Sequence, residues 1–174
     1  GYVHSRPTRR TDPWGLWDDD GHSGMPNLED ANGVSEFDYT LEDYGWSSPW
    51  NNPWRHFRDI EDVESDLKND VKKCNKNEFK RHAHQAQDYY SHYSQGYRWW
   101  RLGHLLSGHE PDNIETHKEQ YKRAQSKTRE WLKKWLKNCC KVSGEWVERT
   151  SKTCCDKDQK ITAGKKVDGE MGGL

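Results

Sequence analysis

The sequence predicts an all-α fold: a compact helical domain around a metal site, with a loop-rich N-terminal lead and an irregular or short β C-terminal tail. Two observations predict it. Apolar residues recur with the period of an α-helix in three successive segments between residues 57 and 138. In the second segment His84, Asp88 and His92 recur every fourth residue, a spacing that places side chains along one side of a helix.

This ladder of His84, Asp88 and His92 has the chemistry of a metal site. Imidazole nitrogen and carboxylate oxygen are ligands of zinc and similar divalent ions, and pairs four residues apart on a helix bring two donors to one ion. The alternative is a polar helix face that is merely rich in histidine. We expect His84 and Asp88 to bind a divalent metal, with zinc as the cofactor and room for more than one ion.

Composition limits what else can hold the fold together. The chain has 174 residues, of which 30% are hydrophobic and 33% charged, and its mean hydropathy is -1.34. The ten Trp residues must therefore carry much of the burial. No apolar run approaches the roughly 20 residues of a membrane span, and no signal-peptide pattern appears. We expect a soluble chain that is secreted or delivered into a target cell by another route.

The lead, residues 17–56, is acidic and rich in Gly, Asp, Asn and Ser. These turn-forming residues predict little regular structure. Potential additional ligands lie in it, although solvated acids are the usual outcome: His22, Asp38, Glu42 and Asp43.

Three helices are predicted in residues 57–140, the expected metal-binding domain. The first carries its apolar face from Phe57 to Cys74, and the ladder helix runs from about residue 77 to 93. Its inward set is Phe79, Ala83, Ala86, Tyr90 and Tyr93. The third, basic helix covers residues 114–138, and its inward set is Ile114, Tyr121, Ala124, Trp131, Trp135 and Leu136.

The connection between the second and third helices, residues 95–113, is aromatic and punctuated by glycine. It returns toward the ladder after a short distance, so its His104, His109 and Glu110 are candidate ligands. Asp112 matches a helix-capping pattern better than a ligand. His117, near the start of the third helix, is a further candidate.

The tail, residues 141–174, is predicted to form a short hairpin or an extended arm with a frayed end. Five cysteines cannot all pair within one chain: Cys74, Cys139, Cys140, Cys154 and Cys155. A bridge from Cys74 to the Cys139/Cys140 doublet is plausible, and it would indicate an oxidising compartment.

Charge is unevenly distributed along the chain. Residues 12–70 contain 16 acidic and 3 basic residues, whereas residues 114–141 contain 9 basic and 3 acidic ones. Two explanations remain open: the two regions pair within one domain, or the basic helix faces phosphates of lipid or nucleic acid.

The first 16 residues carry the motif Asp12-Pro13-Trp14-Gly15-Leu16, preceded by Tyr2-Val3 and Pro7. This segment resembles the end of the core of Rhs and YD-repeat proteins, in which a large β-cage is followed by an interchangeable C-terminal toxin. Arg6 stands where that family usually has Asn. The resemblance implies cleavage between Leu16 and Trp17. It also implies two partners, a cognate immunity protein and the β-cage of the parent chain.

The ladder segment, with Phe79, Gln87 and Ser91 around it, is similar to the metal motif of the all-α zinc-dependent phospholipase C and Het-C-like proteins, which share their architecture with S1/P1 nucleases. The resemblance implies that His84 and Asp88 bind metal and that Asp88 is catalytic, bridging two ions. It implies a preceding histidine, for which His56 is best placed, and a following one from His104, His109 or His117. Phospholipase C has its second His where this chain has Ser94.

The predicted function is a toxin domain, acting on bacteria or on a host, that hydrolyses phosphodiesters with a metal ion in the manner of phospholipase C. Clustered divalent ions lower the pKa of bound water and clamp phosphoryl oxygens. Its substrate would be a phospholipid membrane surface or nucleic acid. The alternatives are a metal-dependent nuclease toxin and a non-enzymatic or pore-forming toxin in which the metal is structural.

Overall fold

The computed structural model describes residues 19–40, 51–91, 94, 114–153 and 159–164. The helices in these ranges are α1 (Asp19–Ser23), a 3-10 turn (Pro53–Arg55), α2 (Ile60–Lys73), α3 (Lys76–Ser91) and α4 (Lys118–Asn138). The strands are β1 (Leu28–Glu29), β2 (Cys139–Val142), β3 (Glu145–Glu148) and β4 (Lys160–Ile161).

The helix α2 follows the predicted apolar period. Val63, Leu67 and Val71 lie on successive turns and are buried. Two acidic residues occupy the first turn and two lysines the last, where each charge suits the helix dipole. The helix ends at Cys74, whose φ of 50° and ψ of 36° are left-handed. The reversal lets α3 begin two residues later and pack against α2.

Aromatic rings form the centre of the core, as the composition predicts. Trp135 of α4 is fully buried, with its ring centroid 4.5 Å from that of Phe79 on α3 and 5.7 Å from that of Phe37. Trp146 of β3 lies 5.2 Å away on another side. The inward residues predicted for α3 and α4 are buried or partly buried wherever the structure describes them, and the buried Leu132 and Thr128 add to that set.

The described part of the lead, residues 19–40 and 51–56, is more ordered than its composition predicts. The Asn27 side chain accepts hydrogen bonds from the backbone N–H groups of Leu28 (2.8 Å) and Phe37 (3.1 Å), which closes the chain between them. Leu28 and Phe37 thereby reach the core, together with Met25 and Tyr39. The lead is therefore anchored to the helices, and α1 is held at a fixed place beside them.

The all-α prediction is wrong in detail, because the described part of the chain, though mostly helical, also contains two antiparallel two-stranded sheets. β2 and β3 form the short hairpin predicted as one option for the tail. Its turn residues Ser143 and Gly144 have φ values of 51° and 89°, the positive pair that matches the twist of a hairpin. In the other sheet, Leu28 of β1 pairs with Ile161 of β4.

A disulfide joins Cys74 to Cys139, which confirms the predicted bridge from Cys74 to the doublet. It ties the end of α2 to the start of β2, with Cα atoms 5.6 Å apart. Cys140 is disulfide-bonded as well.

The acidic and basic regions do pair in part. Glu36 forms a salt bridge with Lys141, and Glu64 of α2 forms one with Lys127 of α4 (3.3 Å). Lys76, which lies outside the basic region, also contacts Glu36 (3.2 Å). In the described part of the chain no helix is both long enough and apolar enough to cross a bilayer.

Candidate metal centre

Three histidines surround the carboxylate of Asp88 on α3. His84, one turn earlier, places Nε2 3.1 Å from Oδ2, and His56 places Nδ1 2.9 Å from the same oxygen. His22 of α1 approaches from the other side, with Nε2 3.2 Å from Oδ1. All four side chains are 0% exposed. Residues distant in the sequence thus converge on one buried anion.

The positions of His84 and Asp88 follow from the helix, since residues four apart lie on the same side. His56 comes from the chain just after the 3-10 turn, and Arg58 fixes that segment. The guanidinium donates from Nη1 to Gln85 Oε1 on α3 (3.0 Å) and pairs through Nη2 with Asp66 of α2 (2.8 Å). This fork holds His56 between the two helices.

His22 is oriented by Gln87, its neighbour on α3. Gln87 Nε2 donates to the Thr128 hydroxyl on α4 (3.3 Å), and Gln87 Oε1, which can only accept, lies 2.8 Å from His22 Nδ1. Nδ1 must then carry the proton, which leaves Nε2 directed at Asp88. A neutral imidazole in this tautomer presents a lone pair to the carboxylate.

That lone pair needs a cation beside it. His22 Nε2 is buried and forms no hydrogen bond within the described part of the chain, although Asp88 Oδ1 is 3.2 Å away. Two electron-rich atoms at this distance repel unless a proton or a metal ion lies between them. Metal-bound histidines commonly donate their other N–H to an oxygen, as His22 does to Gln87.

The other possible ligand atoms, besides those of His22, form a near-equilateral triangle. His56 Nδ1 and Asp88 Oδ2 are 2.9 Å apart, and His84 Nε2 lies 3.1 Å from each of them. Tetrahedral zinc with bonds of about 2.0–2.1 Å separates its ligand atoms by roughly 3.3 Å, so a small expansion of the triangle fits the ion. Ligand atoms of His22, His84 and Asp88 also lie within 4.8 Å of one another.

The surroundings of Asp88 favour the ionised form of its carboxyl group. Burial alone raises the pKa of its carboxyl, but the charge of His84 and the polar contacts with His22, His56 and His84 outweigh it and hold that pKa well below 3.8. A buried carboxylate is costly unless a positive charge compensates it. Protonated imidazole or a divalent metal ion supplies that charge here.

The structure brings together three of the predicted site residues: His56, His84 and Asp88. His117 lies half-buried at the start of α4 and is not part of the described three-residue group that could hold a metal. His92, His104, His109, Leu16 and Trp17 lie outside the described residues. Of the additional ligands considered in the lead, Asp38 is exposed and accepts a hydrogen bond from Thr40, and Glu42 and Asp43 lie outside the described residues.

His22 was ranked too low from the sequence, and Gln87 and Thr128 were not predicted as the residues that orient it. His22 had the same standing as several acids of the lead, because no periodic pattern links the lead to the ladder helix. Another histidine of α3, His82, points elsewhere and lies 2.6 Å from Asp70 Oδ2.

Comparison with models of protein families, with curated proteins and with solved structures finds no match for this chain.

Proposed function

We propose that the chain binds zinc at His22, His56, His84 and Asp88 and hydrolyses phosphodiesters with it. The observation that carries the proposal is the convergence of three buried imidazoles on the buried Asp88 carboxyl group. Neutral imidazoles with one anionic oxygen donor are typical zinc ligands. The polarity of the site is expensive in a protein interior, and an ion coordinated by these atoms offsets that cost.

The two oxygens of Asp88 have different imidazole neighbours, so each oxygen would have a histidine beside it with which to hold a metal ion. Oδ2 faces His56 and His84, whereas Oδ1 faces His22. When bound, zinc would supply a water molecule with a lowered pKa and would neutralise charge on a phosphoryl group. The chain's own contribution is to hold the ligands, fix the His22 tautomer through Gln87, and exclude bulk water from the carboxylate.

We further propose that this hydrolase is a delivered toxin of the phospholipase C-like class. Two resemblances support this. The motif ending at Leu16 resembles the end of an Rhs core. The ladder motif resembles the phospholipase C metal motif, and its residues His84 and Asp88 lie in the buried cluster. The β-cage and an immunity protein would then be its partners. Intact-mass analysis of the parent chain should show a product that begins at Trp17, and its absence would remove the cleavage step.

A structural metal site is the second candidate, favoured by the complete burial of all four side chains. Structural zinc is usually closed by four protein ligands, whereas catalytic zinc keeps a position for water. In that case the metal would clamp α1 to α3, and the protein would act without hydrolysis.

Elemental analysis and assays of one preparation test these proposals together. Protein purified without a His tag should contain zinc, and it should cleave phospholipid or DNA in a chelator-sensitive manner. His84→Asn should lose both zinc and activity. His82→Asn is the matched control on the same helix and should keep both, because His82 contacts Asp70 and Asp66 instead.

Zinc in the wild-type protein without any hydrolysis of either substrate would select the structural site. A wild-type protein that is free of metal, and whose cleavage of phospholipid or DNA is unchanged in His84→Asn, would reject both candidates.

A further inference from the structure

The exposed side of α4 carries a stripe of positive charge, which we name the basic face. It consists of Lys118, Lys122, Arg129, Lys133 and Lys137. At about 100° of rotation per residue these positions fall within a sector about 100° wide, and they extend over about 28 Å of helix. The opposite side of α4 is buried in the core through Tyr121, Ala124, Thr128, Trp131, Leu132 and Trp135.

Internal pairing does not account for this face. Among the described contacts, Lys122 reaches only its exposed neighbour Glu119 at 3.2 Å, and Arg129 donates to the carbonyl of Ala163. Lys118, Lys133 and Lys137 have no acidic partner in the described part of the chain.

The other acidic contacts of α4 fall on lysines outside the basic face. Glu64 and Glu130 contact Lys127, and Glu130 also contacts Lys134. The formal net charge of the whole chain is only -1, so a face of five cations, of which only Lys122 has an acidic partner among the described contacts, is a local segregation of charge. Such segregation attracts an extended anionic partner.

We infer that the basic face of α4 docks the protein on an anionic phospholipid surface. Four of its five cations are lysines, which act as point charges toward the diffuse potential of an anionic leaflet. Nucleic-acid surfaces instead combine arginine forks with exposed stacking rings. The one arginine of the basic face, Arg129, donates to the carbonyl of Ala163, the exposed Arg123 lies outside that face, and the α4 tryptophans Trp131 and Trp135 are buried.

This inference deepens the proposed function by naming a phospholipid as the source of the phosphodiester. It rests on the proposed function only for the identity of the substrate. Attachment itself needs neither metal nor turnover. A vesicle-binding measurement can therefore fail while zinc binding succeeds, or succeed while zinc binding fails.

The test is co-sedimentation of the purified protein with vesicles of equal parts phosphatidylglycerol and phosphatidylcholine, at about 0.1 M salt. The wild type should bind these vesicles, bind weakly to phosphatidylcholine alone, and be released by added salt. The triple variant K122Q/K133Q/K137Q should bind about 100-fold more weakly, since each lysine near an anionic surface contributes about fivefold.

The matched control is K68Q/K72Q/K73Q, which removes three exposed lysines from α2 and the same total charge. It should bind like the wild type. Equal weakening in the control would show a general charge effect and overturn the assignment to α4. Absence of vesicle binding by the wild type would overturn it too. So would binding of duplex DNA that is tighter than binding of vesicles and that the α4 triple variant abolishes.

Discussion

His22 Nε2 and Asp88 Oδ1 lie 3.2 Å apart, although one residue belongs to the five-residue helix α1 and the other to the middle of α3. Gln87 holds the proton of neutral His22 on Nδ1. The atom facing the carboxylate, Nε2, therefore presents a lone pair unless it carries a second proton. A cation between the two atoms would make a repulsive contact stabilising. The pair therefore links the position of the lead to the state of the metal site.

Replacing Gln87 with Leu should weaken zinc binding by about 10- to 100-fold, the usual effect of losing the hydrogen bond behind a ligating histidine. Leucine removes the oxygen that faces His22 Nδ1, so His22 loses its fixed tautomer. Titration of the purified protein with zinc against a competing chelator measures the change.

Gln87→Glu is the matched variant, because its carboxylate still accepts from His22 Nδ1. It should bind zinc more tightly than Gln87→Leu. Equal affinity in the two variants would show that the contact between His22 and Gln87 has no part in metal binding.

Arg58→Lys should also weaken zinc binding, by releasing His56 rather than by touching the metal. Lysine keeps the charge but cannot reach Gln85 and Asp66 together, as the fork of Arg58 does. The same zinc titration should show the loss, and the imidazole signal of His56 in NMR spectra should broaden or shift.

The control for this change is Arg123→Lys, at an exposed position of α4 with no described partner. It should leave zinc affinity unchanged. An Arg58→Lys protein with wild-type affinity would show that the segment around His56 is held without the fork.

The helices were predictable because their apolar period is a local property of the chain. α2 and α3 begin and end within a few residues of the predicted bounds, and the ladder spacing does place His84 beside Asp88. α4 begins at Lys118 rather than Ile114, since residues 114–117 form turns before it. Helix ends depend on such local geometry more than on period.

The contacts between distant segments were not predictable in this way. The two-residue strands β1 and β4 are too short to carry a periodic signal, and they pair only because the core brings residues 28–29 and 160–161 together. His22 enters the site through the same tertiary packing, guided by the Asn27 turn that anchors the lead. A single sequence gives no reason to prefer His22 to other polar residues of the lead.

Removing the bridge with the double variant Cys74→Ser/Cys139→Ser should lower the free energy of unfolding by about 4 kcal/mol, the chain-entropy estimate for a loop of this length. The bridge joins residues 65 positions apart. The double change leaves no unpaired thiol from this bridge to exchange with the other cysteines. Urea unfolding followed by tryptophan fluorescence measures the difference, and an unchanged midpoint would show that helix packing alone fixes this junction.

Glu36 should make stability depend on acid pH independently of the metal site. Burial raises the pKa of its carboxyl, but Lys141 and Lys76 outweigh that effect and lower the pKa below 4.5. The lowered value means that the folded state favours the carboxylate. The stabilisation is therefore fully present above about pH 4.5, the ordinary pKa, and is lost as pH falls through the lower folded value.

Urea unfolding of the wild type and of Glu36→Gln at a series of pH values should show this dependence. The variant should be less stable at neutral pH, since Lys76 and Lys141 lose their anionic partner, and the difference between the two proteins should shrink on acidification. Glu119→Gln, on the exposed side of α4, serves as the control and should follow the wild type. A constant difference between wild type and Glu36→Gln at every pH would mean that ionisation of Glu36 does not contribute, and that the two lysines act on the fold by packing alone.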